Sequence, residues 1–212
     1  MRLAHVLNLL VCAAVLLPLA FVPQRLAHPA LWIWFVGMLV MMLSQPPLDT
    51  KEMEERKVAD RHSMLTILVG HLLGQLAAVF DFGYGAGPAP LTNPMVATGL
   101  VLLVGGLTFR LWAIRTLGRF FTATVHVQQG QTVVQDGPYR WLRHPSYTGA
   151  IVASVGGTLL LHSLWGALLV IVLTGLAYAH RITAEEKVLA EQLGEPYREF
   201  MKRTKRLVPF VY

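Results

Sequence analysis

Cysteine is almost missing from this chain: Cys12 is the only one in 212 residues. A single thiol inside an apolar stretch closes no disulfide within the chain and builds no thiolate zinc site, so no redox or structural-metal role follows from it. Charge is scarce too, at 14% of residues against 54% hydrophobic. The mean hydropathy of +0.51 lies well to the apolar side of a soluble domain, which makes this a membrane protein. No strand is followed by Gly-x-Gly-x-x-Gly and an acidic residue. The one glycine-rich run, GYGAG at 83–87, comes after a helical stretch, so a Rossmann dinucleotide-binding unit is excluded. The net charge is +6, yet no basic patch with interleaved aromatics sits on a soluble module, so nucleic acid is not the expected partner.

What the chain has instead is apolar length. Stretches able to cross a bilayer, roughly 17–25 residues each, run over Leu3–Val22, Ala30–Leu48, Met64–Phe80 and Pro94–Leu117, followed by the shorter Pro145–Leu161 and Leu164–Ala179. The expected fold is therefore all-α: a polytopic bundle of about six transmembrane helices with a cytosolic helical tail at the carboxyl end. The first run is longer than a signal-peptide core and has no convincing small-x-small cleavage site, so it is read as a retained helix. Only His162 and Ser163 separate the last two runs, which implies an antiparallel hairpin. Residues 1–93 read as amino-terminal membrane helices and 94–212 as the core that carries chemistry, within one domain.

Six spans with the amino terminus inside place Arg2, the 49–63 loop, the 110–144 segment and the tail from 181 in the cytosol. Seventeen of the eighteen Lys and Arg residues then lie inside and only Arg25 outside, the bias expected of cytosolic loops. The loop DTKEMEERKVADRHS mixes both signs and reads as a solvated connector or a short interfacial helix.

The polar side chains gather at one border. GPYRWLRHPSYTG, residues 137–149, stands where cytosol meets membrane. Pro145 suits the first turn of a helix, where its missing N–H needs no partner, and this makes His144 a cap or near-cap residue. The amides of Ser146 and Tyr147 can then face a ligand. Gly149, Ala153 and Gly157 recur every four residues and offer a close-approach stripe. Taken singly, Tyr139, Trp141, Arg140 and Arg143 read as interfacial anchors. Arg181 and Glu185, four apart beyond the last run, read either as a helical salt bridge or as a pair divided between an anionic and a cationic ligand group. Gly194 can stop that helix and Pro196 can start another. His71 and Gln75 share a helix face inside a span and read first as a helix-to-helix hydrogen bond, second as a substrate contact.

In order and spacing, RLWAIRTLGRFFT, then VQQGQTVVQDGPYRWLRHPSYTG, a helical hairpin, and EEKVLAEQLGEPYREFMKRTKRLVPF resemble the isoprenylcysteine carboxyl methyltransferases and their relatives. The likeness covers about Phe109 to Phe210; residues 1–90 share with the family only hydrophobic helices. It implies an integral membrane methyltransferase that uses S-adenosylmethionine and a lipophilic small-molecule or prenylated acceptor. Position by position, it implies cofactor contacts at Gln128, Gln131, Thr132, Val133, Val134, Tyr139, His144, Pro145, Ser146, Tyr147 and Glu185, and an acceptor contact at Arg181. Gln131 stands where the family commonly has His. Tyr197, Arg203 and Arg206 also match family positions; they read equally as packing and as attraction to an anionic leaflet.

The implied reaction is an in-line displacement in which an acceptor attacks the methyl of a sulfonium. A carboxylate acceptor is already ionised near neutral pH, so positioning rather than a general base carries the rate. Two other readings share parts of the pattern. A phospholipid or other amine N-methyltransferase resembles the last spans, with Arg181 on a phosphate. A membrane sterol reductase using NADPH carries a similar RHP-x-Tyr-x-Gly turn.

Overall fold

The computed structural model describes residues 2–45, 58–122 and 127–208, with side chains described from residue 9 in the first stretch and from residue 65 in the second. Seven α-helices order these residues: α1 Arg2–Val15, α2 Pro29–Leu43, α3 Val58–Tyr84, α4 Pro94–Leu117, α5 Pro145–Leu160, α6 Leu164–Gln192 and α7 Glu195–Arg203. Short 3-10 turns fill Leu17–Phe21, Pro23–Ala27, Gly118–Phe120 and Gly137–Arg140. Among the described residues the only extended pairing is an isolated parallel bridge between Leu142 and Lys205. The chain is all-α, as expected. Among the described residues three segments are long and apolar enough to cross a membrane, Leu65–Tyr84, Pro94–Phe120 and Leu164–Gln192, and Pro29–Leu43 is a shorter apolar helix.

Several expected boundaries move, each for a local reason. The first run is not one helix: α1 ends at Val15, and Pro18, which has no N–H to donate, leads into a 3-10 turn closed by Leu19 N–H to Leu16 C=O at 2.9 Å. Most of the mixed-charge loop, together with Arg2's side chain, lies outside the described residues, but α3 already begins at Val58. The last run does not stop at Ala179. Residues 180–192 contain no glycine or proline, so α6 continues to Gln192 and ends before Gly194, whose φ is +65°. Arg181, Glu185 and Glu186 are therefore part of the same rigid rod as the apolar segment.

The tightest seam joins α4 to α5. A Cβ on Gly149 would lie 2.7 Å from the Arg110 amide nitrogen, one on Gly106 2.8 Å from the Gly149 carbonyl, and one on Gly156 2.8 Å from the Gly99 carbonyl. Gly99 and Gly106 on one helix thus face Gly149, Ala153 and Gly156 on the other, and the backbones touch. Gly157 lies off this seam, against the Trp34 ring of α2. The α5–α6 connection is tight as expected: Ser163 Oγ accepts from Gly166 N–H at 3.0 Å and donates to Asp81 Oδ2 at 2.7 Å. Within the hairpin, however, each helix takes a closer neighbour elsewhere, α5 packing chiefly on α4 and α6 on α3.

Buried polar groups bind the middle of the bundle. Trp34 Nε1 donates to Gln75 Oε1 at 2.7 Å, Gln75 Nε2 donates to the Ser154 carbonyl at 3.2 Å, and Ser154 Oγ is 3.0 Å from His71 Nδ1. His71 and Gln75 thus serve as helix-to-helix hydrogen bonds, the first of the two readings. This network ties α2, α3 and α5 into one body under the site.

Candidate functional site

The site is assembled by two glycines with left-handed backbone. Gly130, at φ +72°, turns the chain after α4, and Gly137, at φ +53°, turns it back. A side chain at Gly137 would be doubly excluded, because its Cβ would fall 2.9 Å from Thr116 Oγ1 and 3.2 Å from Trp112 Nε1. Between them Gln128 serves the loop itself, its amide nitrogen donating to Gln131 Oε1 at 2.8 Å and its Nε2 to the Arg119 carbonyl at 2.8 Å. The turn at Gly137–Arg140 then buries Tyr139, and Pro145 opens α5. His144 occupies the cap position with its backbone only; its side chain makes no capping hydrogen bond. The ring is free for other work.

That ring stacks on Tyr147, with centroids 5.5 Å apart and planes 2° from parallel, and Tyr147 stacks in turn on Tyr178 at 4.7 Å. The Tyr147 hydroxyl is a junction. It accepts from Arg181 Nε at 3.0 Å and donates to Glu185 Oε2 at 2.7 Å. The two charged residues read from the sequence as a salt bridge or a divided pair are thus bridged through a tyrosine on the neighbouring helix. Beside them Glu186, 3% exposed, receives Arg143 Nε on Oε1 at 2.6 Å and Arg206 Nε on Oε2 at 2.9 Å. His144 Nε2 is 3.4 Å from Glu186 Oε1, long and poorly aligned, and counts as a buried nitrogen without a hydrogen bond.

Of these groups Arg143, His144, Tyr147 and Glu185 border an open-sided cavity of roughly 790 Å³, including the part open to solvent. Of the residues expected at a cofactor site, Gln131, Thr132, Val133, Val134, Tyr139, His144, Ser146, Tyr147 and Glu185 line it. Gln128, Pro145 and Arg181 do not: the first two shape the loop and the helix start, and Arg181 sits behind Tyr147. Burial, and to a smaller degree the Glu185 carboxylate, pushes the Tyr139 phenol up, so it stays a neutral donor at physiological pH. Glu185 keeps a quarter of its side chain exposed. Among the described residues no cluster of metal-ligating side chains occurs.

Several lining residues were invisible to sequence reasoning. Leu117, Phe120 and Phe121, with Leu189, Leu193 and Phe200, give the cavity its apolar lining, beside Tyr197, which the family resemblance had already marked. Individually they look like any membrane or interfacial side chain; only the fold brings the end of α6 and α7 over the 131–134 loop. Arg110 was also missed. It is 2% exposed, donates from Nε to Ser44 Oγ at 3.1 Å and from Nη1 to the Ser146 carbonyl at 3.0 Å, and has no carboxylate partner among the described residues. Its signal was available: an arginine with apolar neighbours at the end of a span is a functional candidate.

Residues 98–191 match the model of the isoprenylcysteine carboxyl methyltransferase (ICMT) family. The chain is 35% identical over 115 residues to protein-S-isoprenylcysteine O-methyltransferase B of Arabidopsis thaliana, covering 53% of this chain and 58% of that one. It is 32% identical over 124 residues to the Homo sapiens protein-S-isoprenylcysteine O-methyltransferase, covering 54% of this chain and 41% of the human one. The match thus spans about 40–60% of the length of the curated relatives. A solved structure of a eukaryotic intramembrane Ras methyltransferase, ICMT, superposes with a TM-score of 0.55 at 22% identity, over 87% of this chain and 69% of that one, which shows a shared fold. The matched region, a little under half of the chain, holds most of the seam helices, the 127–144 loop and the Arg181–Glu186 stretch, and over it the chain is similar to the isoprenylcysteine carboxyl methyltransferase family, whose solved member shares its fold.

Proposed function

We propose that this protein transfers a methyl group from S-adenosylmethionine to the carboxylate of a lipophilic, S-prenylated cysteine at the cytosolic face of a membrane. The observation that carries the reading is the junction at Tyr147, where one hydroxyl joins a buried arginine to a carboxylate on the cavity wall. The relatives' names, protein-S-isoprenylcysteine O-methyltransferase, supply the acceptor class.

The cavity's residues suit the donor. Glu185 offers a partly exposed carboxylate to an ammonium, His144 presents its ring on the cavity wall, and the Tyr139 phenol is a neutral donor. Leu117, Phe121, Leu189 and Leu193 give an apolar slot of the kind a flat heterocycle needs. When bound, S-adenosylmethionine supplies an electrophilic methyl on a sulfonium. The protein's part is to place and to desolvate. Arg181, behind Tyr147, is positioned to take an acceptor carboxylate as a planar fork, with Arg110 as a second buried cation close by. A carboxylate needs no base at neutral pH. Alignment of two bound reactants can remove about 7–11 kcal/mol of the barrier, and a site drier than water favours a step in which anion and sulfonium charge cancel.

Orientation follows from charge. Arg110, Arg119, Arg140, Arg143 and Arg181 gather at the site end, whereas Arg25 approaches Gly87 at the other end; cytosolic faces carry the excess of Lys and Arg. Membrane lipids would then flank the site and admit the acceptor sideways between helices. Titration calorimetry of the purified protein in detergent tests the donor assignment. Saturable binding of S-adenosylmethionine, and none of NADPH, is expected; the reverse pattern would make the reductase reading the better one.

A further inference from the structure

An ionic cluster sits against the cavity, with Arg143 among the lining side chains and Glu186 behind it. Glu186 does not line the cavity, yet both its oxygens are engaged: Oε1 by Arg143 and Oε2 by Arg206 through Nε at 2.9 Å and Nη2 at 2.8 Å. The two arginines lie on different segments. Arg143 belongs to the loop that leads into His144, and Arg206 to the extended strap that follows α7. Backbone hydrogen bonds stitch the same two segments together. Arg143 N–H donates to the Lys205 carbonyl at 2.7 Å, Lys205 N–H to the Trp141 carbonyl at 3.0 Å and His144 N–H to the Arg206 carbonyl at 3.1 Å. Arg143 Nη1 also donates to the Met201 and Thr204 carbonyls, and Thr148 Oγ1 to the Leu207 carbonyl at 2.7 Å.

We propose that Glu186 is a positioning residue that latches the strap of residues 204–207 onto the His144 loop and so holds α7 in place as a wall of the cavity. Tyr197 and Phe200 of α7 line the cavity and pack in one apolar cluster with Tyr139, Arg203 donates to Gln135 Oε1 at 3.1 Å, and the strap adds its ionic and backbone bonds to these contacts at the far end of a helix joined to α6 by the short Leu193–Gly194 turn. The buried carboxylate is what makes the latch specific. Two guanidinium groups brought together without it would repel, and one buried charge left unpaired is far costlier than an exposed one. The same oxygen that binds Arg143 stands 3.4 Å from His144 Nε2, so the latch also sets the ring that stacks on Tyr147. The link to ligand rests on the donor reading above; the link to the strap does not.

The test has two arms, both on the full chain in detergent or nanodiscs. Without ligand, Glu186→Gln should raise the rate of tryptic cleavage within 202–206 by about tenfold or more, as expected when one member of a buried charged contact is truncated. In turnover with S-adenosylmethionine and an S-farnesyl cysteine derivative, the same variant should raise the donor KM about tenfold while kcat at saturation stays within about threefold, the signature of lost binding rather than lost chemistry. Glu186→Asp should recover part of both effects. If Glu186→Gln does not accumulate, Arg206→Gln removes the strap half of the latch and should give the same pair of shifts. Wild-type cleavage rates in these variants overturn the latch, and so does a fall in kcat with KM unchanged. If the wild-type protein binds no S-adenosylmethionine, the function proposed above fails, while the cleavage arm still decides the latch.

Discussion

His144 shows how one side chain can be read two ways until its surroundings are known. A cap and a ligand contact predict different losses. The structure removes the capping bond and leaves the ring on the cavity wall, stacked on Tyr147. His144→Ala should therefore weaken donor binding while the melting temperature moves by no more than loss of a cap would cause, about 1 kcal/mol. Calorimetry beside a thermal melt separates the two, and a lower melting temperature with unaltered affinity would restore the capping role. Arg181 and Glu185 are coupled through the Tyr147 hydroxyl. Glu185→Gln should reduce donor affinity directly, Arg181→Ala should chiefly abolish turnover, and Tyr147→Phe should affect both because it cuts the junction. Truncating a desolvated charged contact costs about 2–5 kcal/mol, against a few tenths for an exposed pair four residues apart. Arg181→Lys should restore little, since an ammonium cannot reproduce the planar fork. Equal loss of donor affinity in the Arg181 and Glu185 variants would contradict the division of labour.

The helices carry these residues with little tolerance at the α4–α5 seam. Gly106→Val or Gly149→Val would drive a branched side chain into facing backbone. Overpacking of this kind costs about 1–3 kcal/mol, more where backbone must move. The expected result is a clear fall in the melting temperature for both, whereas Gly105→Ala, at a position that faces open space, should be nearly neutral. Matching effects at all three positions would mean the seam is not close-packed. At this scale much was legible. Apolar runs gave α4 and α5 nearly to the residue, and Pro145 and Gly194 marked a start and a stop. The errors are physical. Hydropathy counts carbon and not donors, so it could not see Pro18 end α1 early. It also could not see that the charged run after Ala179 keeps its helical hydrogen bonds, because a change in polarity does not break a helix. The four-residue stripe Gly149, Ala153, Gly157 named the right helix, but the contact repeats at seven, through Gly149 and Gly156.

In the molecule as a whole, the charged groups of the candidate site gather at one end of the bundle and are fixed there by long-range contacts. The polar string GPYRWLRHPSYTG pointed to this end, and most of the residues singled out in it stand around one cavity. What could not be read was the other half of the enclosure: the apolar walls from α6 and α7, the Arg110 side chain, and the Glu186 cluster that joins residues 143 and 206. Those depend on which helix ends meet, and that is a property of topology rather than of any local pattern. Under the proposed function, a greasy chain concentrates its hydrogen-bonding groups at a border because a polar donor and a lipid-soluble acceptor can meet only there. The most direct measurement is transfer of label from methyl-labelled S-adenosylmethionine to an S-farnesyl cysteine derivative with a free carboxylate, followed by mild alkali. The account predicts label in the lipid product that alkali releases as volatile methanol, because a methyl ester hydrolyses and an N-methyl group does not. Alkali-stable label on an amine lipid, or no transfer by protein that binds the donor, would contradict it.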